Sequence, residues 1–474
     1  MVAIVGVDAV RAARVTVVAP DVVGSQMAGP GLRTVAIARE LARELDVTLA
    51  IGVTGSDPTE LEIEGVVCSF YSDRDGLQAL VDRSEIVFCQ FIDTNVVDIA
   101  IRSGRQVVYD LYNVLPIETI GSERISGFTT QPEMDREFAE LLRYFRFCMQ
   151  TGTYFVASNE RQRDFWLGYA MASGALAPSS LHERGIDDII GLAPFGMENA
   201  DPVQVRRGIR GTHGITDHDV VILWAGGVWD WFDAGTPIHA VARIAARDPR
   251  VKLVFYGTVH PNPAIGRPRN VERAMALADE LGVLGSNVIF LDSWVAAERR
   301  ADYLLDADIA VSAHQESLET RYSFRTRILD HFWARLPSVV TDGDWFADYI
   351  DDNDLGIVVP SGDVDAMVGA MEGLIRDEGQ MIRLRDNIER IRDEWRWSST
   401  IEPLRRTLVD RIAELPPPAS SRADFGSDAP VAAAPTDPTV SNARSRAREA
   451  VSRSRAGAAY RRVKRALRRY STEE

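Results

Sequence analysis

The sequence predicts an α/β protein built from two doubly wound, parallel-sheet domains. Short Val/Ile-rich runs alternate with longer amphipathic segments, the apolar runs are continuous rather than alternating, and the series starts afresh past Thr212. Length alone suggests about three domains. A composition of 46% hydrophobic and 26% charged residues excludes a mostly disordered chain and a small disulfide scaffold.

Arg14–Pro20 reads as a buried strand, followed by a glycine-bearing loop, Gly24–Gly31, and a helix through Ala36–Leu45. Val47–Ile51, Ile86–Gln90 and Gln106–Asp110 continue the first sheet, with Tyr154–Ser158 and Ile189–Phe195 as its later strands. The junction falls near Pro194–Thr212. Val220–Ala225 then ends at Gly226-Gly227, a helix runs through Ala240–Arg247, and Val251–Tyr256, Val288–Leu291, Ile309–Ser312, Pro337–Thr341 and Gly356–Pro360 supply the second sheet. Ligands of such sheets sit at the C-terminal strand ends, so two facing domains make one cleft.

A helical stretch, Ile401–Leu415, comes after the two sheets. Pro416–Val440 is rich in Ala, Pro, Ser and Asp and is expected to be a disordered linker. The expected organisation is 1–195 and 196–395 as the two domains, 396–415 as a helix crossing back to the first, 416–440 as linker, and 441–474 as a basic tail.

Charge supports that division. The net charge of −16 hides 11 basic and three acidic residues in 441–474, a local +8, against −24 for the rest. Ala456, Tyr460, Val463, Leu467 and Tyr470 form a narrow apolar seam among arginines, the pattern of a basic amphipathic helix. Three readings of it stay open: attraction to an anionic membrane surface, docking onto a partner or onto the chain's own acidic body, and nucleic-acid binding, which is not expected.

Three scattered cysteines, Cys68, Cys89 and Cys148, support neither a disulfide framework nor a zinc site, and seven histidines show no ligand spacing, so no metal is expected. Met1–Val10 lacks a basic region before its apolar stretch and is a poor secretory signal. No uncharged apolar run is long enough to span a bilayer. A cytoplasmic location is expected, with a peripheral position at the inner face of the plasma membrane if the tail binds lipid.

The chemistry concentrates in three loops. Gly29 and Gly31 lie between the first strand and helix, where backbone can approach a phosphate, although a tight turn also explains them. Gly226 and Gly227 hold the corresponding place in the second domain, and Trp229 and Trp231 there either line the cleft or pack between strand and helix. The densest cluster is Ser312–Asp330, with Glu316, Glu319, Arg321, Arg325, Arg327 and Asp330 after a buried strand. Arginine forks match phosphate geometry, and carboxylates bind sugar hydroxyls. Tyr256 and Trp294 are candidates for a base pocket. Asp110 either accepts a hydrogen bond from an acceptor hydroxyl or caps a helix.

Several strings resemble those of GT-B glycosyltransferases of the retaining, family 4 (group 1) type. Leu329–Val340 is similar to the group's LEAMAxGxPVV segment, Leu355–Met367 to the segment that comes after it in the group, Trp395-Arg-Trp-Ser to its FSW element, and Ala193-Pro-Phe-Gly-Met197 to its VPFGI interdomain segment. The group's paired glutamates, eight positions apart, fall on Tyr322 and Asp330, and Trp229-Asp-Trp stands where a lysine-bearing turn is usual. A subgroup has similar SFRTRxLD and GGxWDWFD strings.

The resemblance implies transfer of a sugar, with retention, from a nucleotide-diphosphate donor to a glycan or lipid-linked acceptor in cell-surface polysaccharide synthesis, without a cofactor. It implies that Arg325, Arg327, Gly226 and Gly227 hold the diphosphate, that Glu316 or Glu319 orients the sugar, and that Asp330 holds the ribose. The alternatives are a GT-B sugar-nucleotide epimerase, whose catalytic acids and histidines have no evident counterpart here, and a non-catalytic scaffold subunit, motivated by Tyr322.

Overall fold

The computed structural model describes residues 12–414, apart from 25–26, 54–60, 121–124, 126, 177, 179–184, 259–267 and 292–294. The linker and basic tail, 416–474, and Trp294 lie outside the described residues.

The first sheet has seven strands: β1 (Arg14–Val18), β2 (Asp46–Gly52), β3 (Val66–Tyr71), β4 (Ile86–Cys89), β5 (Gln106–Asp110), β6 (Tyr154–Ala157) and β7 (Ile190–Leu192). The second has six: β8 (Val220–Trp224), β9 (Val251–Phe255), β10 (Val288–Phe290), β11 (Ile309–Ser312), β12 (Ser338–Thr341) and β13 (Gly356–Val359). Strand orders are 3-2-1-4-5-6-7 and 10-9-8-11-12-13, and the pairings are parallel. In each sheet the winding direction reverses between the first strand and the fourth. That reversal opens a crevice at the C-terminal ends of β1 and β4, and another at those of β8 and β11.

Burial explains the strands. In β1, β4, β5, β6, β8, β9, β11 and β12 most side chains are buried, because helices cover both faces of a parallel sheet. The sequence reading misses β3. This edge strand is only partly buried and carries Cys68 and Ser69 among its apolar residues, so it lacks the continuous Val/Ile signal.

The helix expected at Ala36–Leu45 runs Gly29–Leu41, starting earlier because Pro30 occupies its first turn. The one expected at Ala240–Arg247 runs Gly235–Ala245. The single helix expected over Ile401–Leu415 is instead broken into Trp397–Thr400, Glu402–Arg406, a wide turn over Thr407–Arg411 and a last turn, Ile412–Glu414. Pro403 in the first turn of Glu402–Arg406 is compatible with a restart there but not with an uninterrupted ladder.

This broken segment crosses back to the first sheet. Leu404, Leu408 and Ile412, four apart, are buried in a core shared with β1 and the helix Gly29–Leu41. Arg405 pairs with Glu44 at 2.8 Å. At the crossing, Met197 donates to the Trp395 carbonyl (2.7 Å) and Trp397 donates back to that of Met197 (3.0 Å). Gly196 is obligatory here, since a Cβ on it would lie 2.6 Å from the Trp397 nitrogen.

The other passage, from β7 to β8, is pinned by two buried carboxylates. Asp302 accepts from the Val205 and Arg206 amides, and Asp306 from those of Gly208, Ile209 and Arg210. No described helix is long and apolar enough to cross a membrane.

Candidate active site

The second crevice gathers most of the predicted residues. Gly226 leaves β8 at φ 104°, and Gly257 comes just after β9 at φ 74°. A Cβ on Gly257 would meet the Gly226 carbonyl carbon at 3.0 Å, so these two loops touch through bare backbone. The β8 loop is also sewn to the β11 loop, where the Asp233 amide donates to the Ala313 carbonyl at 3.0 Å.

Arg325 and Arg327 enter between these loops. Arg327 is buried, and its Nη2 donates to the Gly227 carbonyl at 2.7 Å. The guanidinium lies over the rings of Phe232 (3.9 Å) and Trp224 (4.8 Å), while Nη1 has no hydrogen-bond partner among the described residues. Burial, reinforced by the Arg325 charge, pulls Arg327 down to about 9. It remains a cation at neutral pH, stabilised by the two ring faces.

Arg325, also buried, donates to both carboxylate oxygens of Glu319, at 2.8 and 3.2 Å. Beyond it, Asp344 lies 3.8 Å from Arg325 Nε and 2.8 Å from His314 Nε2. Of the two glutamates left open by the sequence, Glu319 is thus drawn into the arginine cluster. Glu316 stands exposed at the strand end.

Asp330 sits one helical turn beyond Arg327 and pairs with Arg300 at 3.1 Å; Arg300 also approaches Glu198 at 3.5 Å. Burial raises the Asp330 carboxyl, against the opposing pull of Arg300 and Arg327. Tyr256 is buried at the end of β9, its hydroxyl without a hydrogen-bond partner among the described residues, packed edge-on against Tyr303. Trp229 is partly buried against the second core and stacks at 5.9 Å on Trp231, which is 49% exposed.

The first crevice differs from expectation. Gly31 is needed because a Cβ would come 2.5 Å from the Val22 carbonyl, a close approach of the chain to itself; Gly29 faces open space. Asp110 is not a free carboxylate. Arg33, fully buried, donates to both its oxygens (2.8 and 2.7 Å) and to the Ala193 carbonyl (2.8 Å), stacked between Tyr112 and Phe195. This pair ties the ends of β5 and β7 to the first helix. Gln90 also donates to Asp110 Oδ2, at 3.4 Å, and no helix-terminal amide donates to this carboxylate among the described residues.

Tyr322, in the position of the missing glutamate, belongs to the domain contact. Its ring packs on Phe165 at 5.4 Å and its carbonyl accepts from Gln162 at 2.9 Å. Arg161 beside it donates to the carbonyls of Arg321 and Gly343 and pairs with Asp348. Arg33, His314, Asp344, Arg300 and Glu118 are contributors that the sequence reading does not single out. No group of His, Cys, Asp and Glu suited to a metal ion occurs among the described residues.

Residues 219–377 match the family described as "Glycosyl transferases group 1". No curated protein sequence matches the chain. Among solved structures, Anabaena Alr3699/HepE in complex with UDP and glucose superposes with a TM-score of 0.57 at 13% identity, covering 84% of this chain and 99% of its own. WaaG, a glycosyltransferase involved in lipopolysaccharide biosynthesis, gives 0.53 at 16% over 84% and 100%. A glycosyltransferase from Rickettsia africae ESF-5 gives 0.57 at 12% over 84% and 99%. At these identities the likeness is one of fold. The chain therefore has a GT-B-like fold, and the stretch that includes its second sheet matches the group 1 glycosyl transferase family.

Proposed function

We propose that the protein transfers a glycosyl group, with retained configuration, from a nucleotide-diphosphate sugar to a hydroxyl of a glycan or lipid-linked acceptor held against the N-terminal sheet. The observation that carries this reading is the pair of buried arginines at the β8/β11 crevice, of which only Arg325 has a carboxylate partner among the described residues. Two neighbouring buried cations repel, and a bound diphosphate supplies the missing opposite charge.

As the bond from the anomeric carbon to the diphosphate oxygen breaks, negative charge grows on that oxygen. Arg325, Arg327 and the backbone of Gly226-Gly227 are placed to stabilise it. The acceptor hydroxyl forms the new bond on the same face, and its proton goes to the departing phosphate oxygen. Glu319 orients the sugar and Asp330, once released by Arg300, the ribose. The chemistry uses no cofactor beyond the donor.

UDP is the favoured donor nucleotide because the HepE complex contains it. The WaaG likeness supports a setting in cell-surface polysaccharide synthesis. Segment 441–474, with its +8 charge, would bring the enzyme to the anionic inner face of the membrane, at about 1 kcal/mol per basic residue near the surface. Liposome binding that persists after removal of 441–474 would contradict that last element.

A second reading, a non-catalytic subunit, draws on Tyr322, which serves the domain contact where a glutamate is usual. Incubation with UDP-, GDP- and dTDP-sugars separates the readings. Slow hydrolysis of one donor, with the anomer followed by NMR, supports a retaining transferase. Binding without turnover supports the scaffold, and isomerisation would indicate an epimerase.

A further inference from the structure

Glu118 lies on the short helix Leu115–Ile120, just past the C-terminal end of β5. That helix packs across the cleft on Leu318–Tyr322, the helix that carries Glu319. Asn113 donates to Glu118 Oε2 at 2.9 Å, and Oε1 has no hydrogen-bond partner among the described residues. The side chain is exposed. Hence one domain presents Glu319 and Arg325 to the cleft and the other presents Glu118, fixed by one oxygen and free at the other.

We propose that Glu118 is the acceptor-side carboxylate of this site, its free oxygen accepting a hydrogen bond from the incoming hydroxyl and orienting it toward the anomeric carbon. This rests on the transferase reading above. A carboxylate held at one oxygen and open at the other is suited to this task, because a hydroxyl donates one hydrogen bond in a fixed direction. The departing phosphate still takes the proton, so Glu118 positions the hydroxyl and does not deprotonate it.

The surroundings also make this role sensitive to pH. Burial raises the carboxyl to about 7; the Asn113 hydrogen bond lowers it, the Glu319 charge raises it, and Arg325 lowers it. The neighbouring Tyr112 hydroxyl stays neutral, raised by its own burial. The helix Gln131–Thr151, packed on the same short helix, contributes no described charge to this balance. Only the ionised form offers the accepting oxygen freely, so the step should gain as pH rises through 7.

Hydrolysis of the donor tests this with water standing in for the acceptor hydroxyl. For the wild type, kcat on a UDP-sugar should rise about tenfold from pH 6 to pH 8. Glu118→Gln should flatten that rise while leaving the donor KM within about twofold and the thermal midpoint unchanged. Asn113→Ala, which removes the hydrogen bond that lowers the carboxyl, should move the inflexion to higher pH. A wild-type profile retained in E118Q overturns the role of Glu118 alone. Absence of turnover of every donor by the wild type overturns the transferase reading and this inference with it.

Discussion

Arg327 reaches from the start of its helix to the Gly227 carbonyl at 2.7 Å, joining the β11 loop to the glycine turn after β8 with a buried cation that has no ion-paired carboxylate among the described residues. A residue that served stability alone would be poorly chosen for this place. Replacing a buried charge by an apolar side chain of similar size is often neutral or stabilising. Arg327→Met should therefore keep or raise the thermal midpoint while turnover falls about 100-fold or more, the usual scale for losing a group that stabilises developing charge. Arg327→Lys should not rescue it, because a point charge cannot both donate to Gly227 and lie flat between Trp224 and Phe232.

Glu319 and Glu316 are separable by mutation. Glu319 is engaged by both terminal nitrogens of Arg325, whereas Glu316 is exposed. Glu319→Gln should lower kcat on the donor by about 100-fold. Glu316→Gln should leave it within about threefold. Steady-state kinetics on purified variants checks both.

The Arg33–Asp110 pair should matter to stability rather than to chemistry. Asp110→Asn leaves a fully buried guanidinium without its carboxylate and should cost about 3–5 kcal/mol in denaturant unfolding. The double change Arg33→Met with Asp110→Leu should cost less than the single one, since it removes both charges. A D110N protein of wild-type stability and lost activity would assign Asp110 to the acceptor instead.

Gly257→Ala should cost about 1–3 kcal/mol, because φ is 74° and the new Cβ would press on Gly226 at 3.0 Å. The same push displaces the glycine turn, so nucleotide affinity should fall together with the unfolding midpoint. Calorimetry and thermal melting on one sample measure both.

The sequence makes the frame legible because a strand covered on both faces must be apolar at nearly every position, as in Val220–Trp224 and Ile309–Ser312. The edge strand Val66–Tyr71 escapes because it bears no such demand. The second crevice was legible for a related reason. Gly226-Gly227 and Arg325–Asp330 come after two of the buried runs, and the topology places those runs side by side.

The first crevice was not legible. Asp110 looks available in sequence because its partner, Arg33, lies 77 residues away on a helix whose buried residues are mostly apolar. His314 and Asp344 are likewise 30 residues apart, and the helix of Glu118 packs on that of Glu319 only once the two domains face each other. Local pattern reports which segments are buried; it does not report which charged groups the fold will pair.

The buried arginines of the β8/β11 crevice should hold a nucleotide diphosphate. Titration calorimetry of UDP, GDP and dTDP against the wild type and Arg327→Met measures this. One nucleotide should bind the wild type and lose about 30-fold or more in affinity in the variant, equivalent to about 2 kcal/mol, at an unchanged thermal midpoint. Equal affinity in the two proteins would mean that Arg327 does not hold the diphosphate.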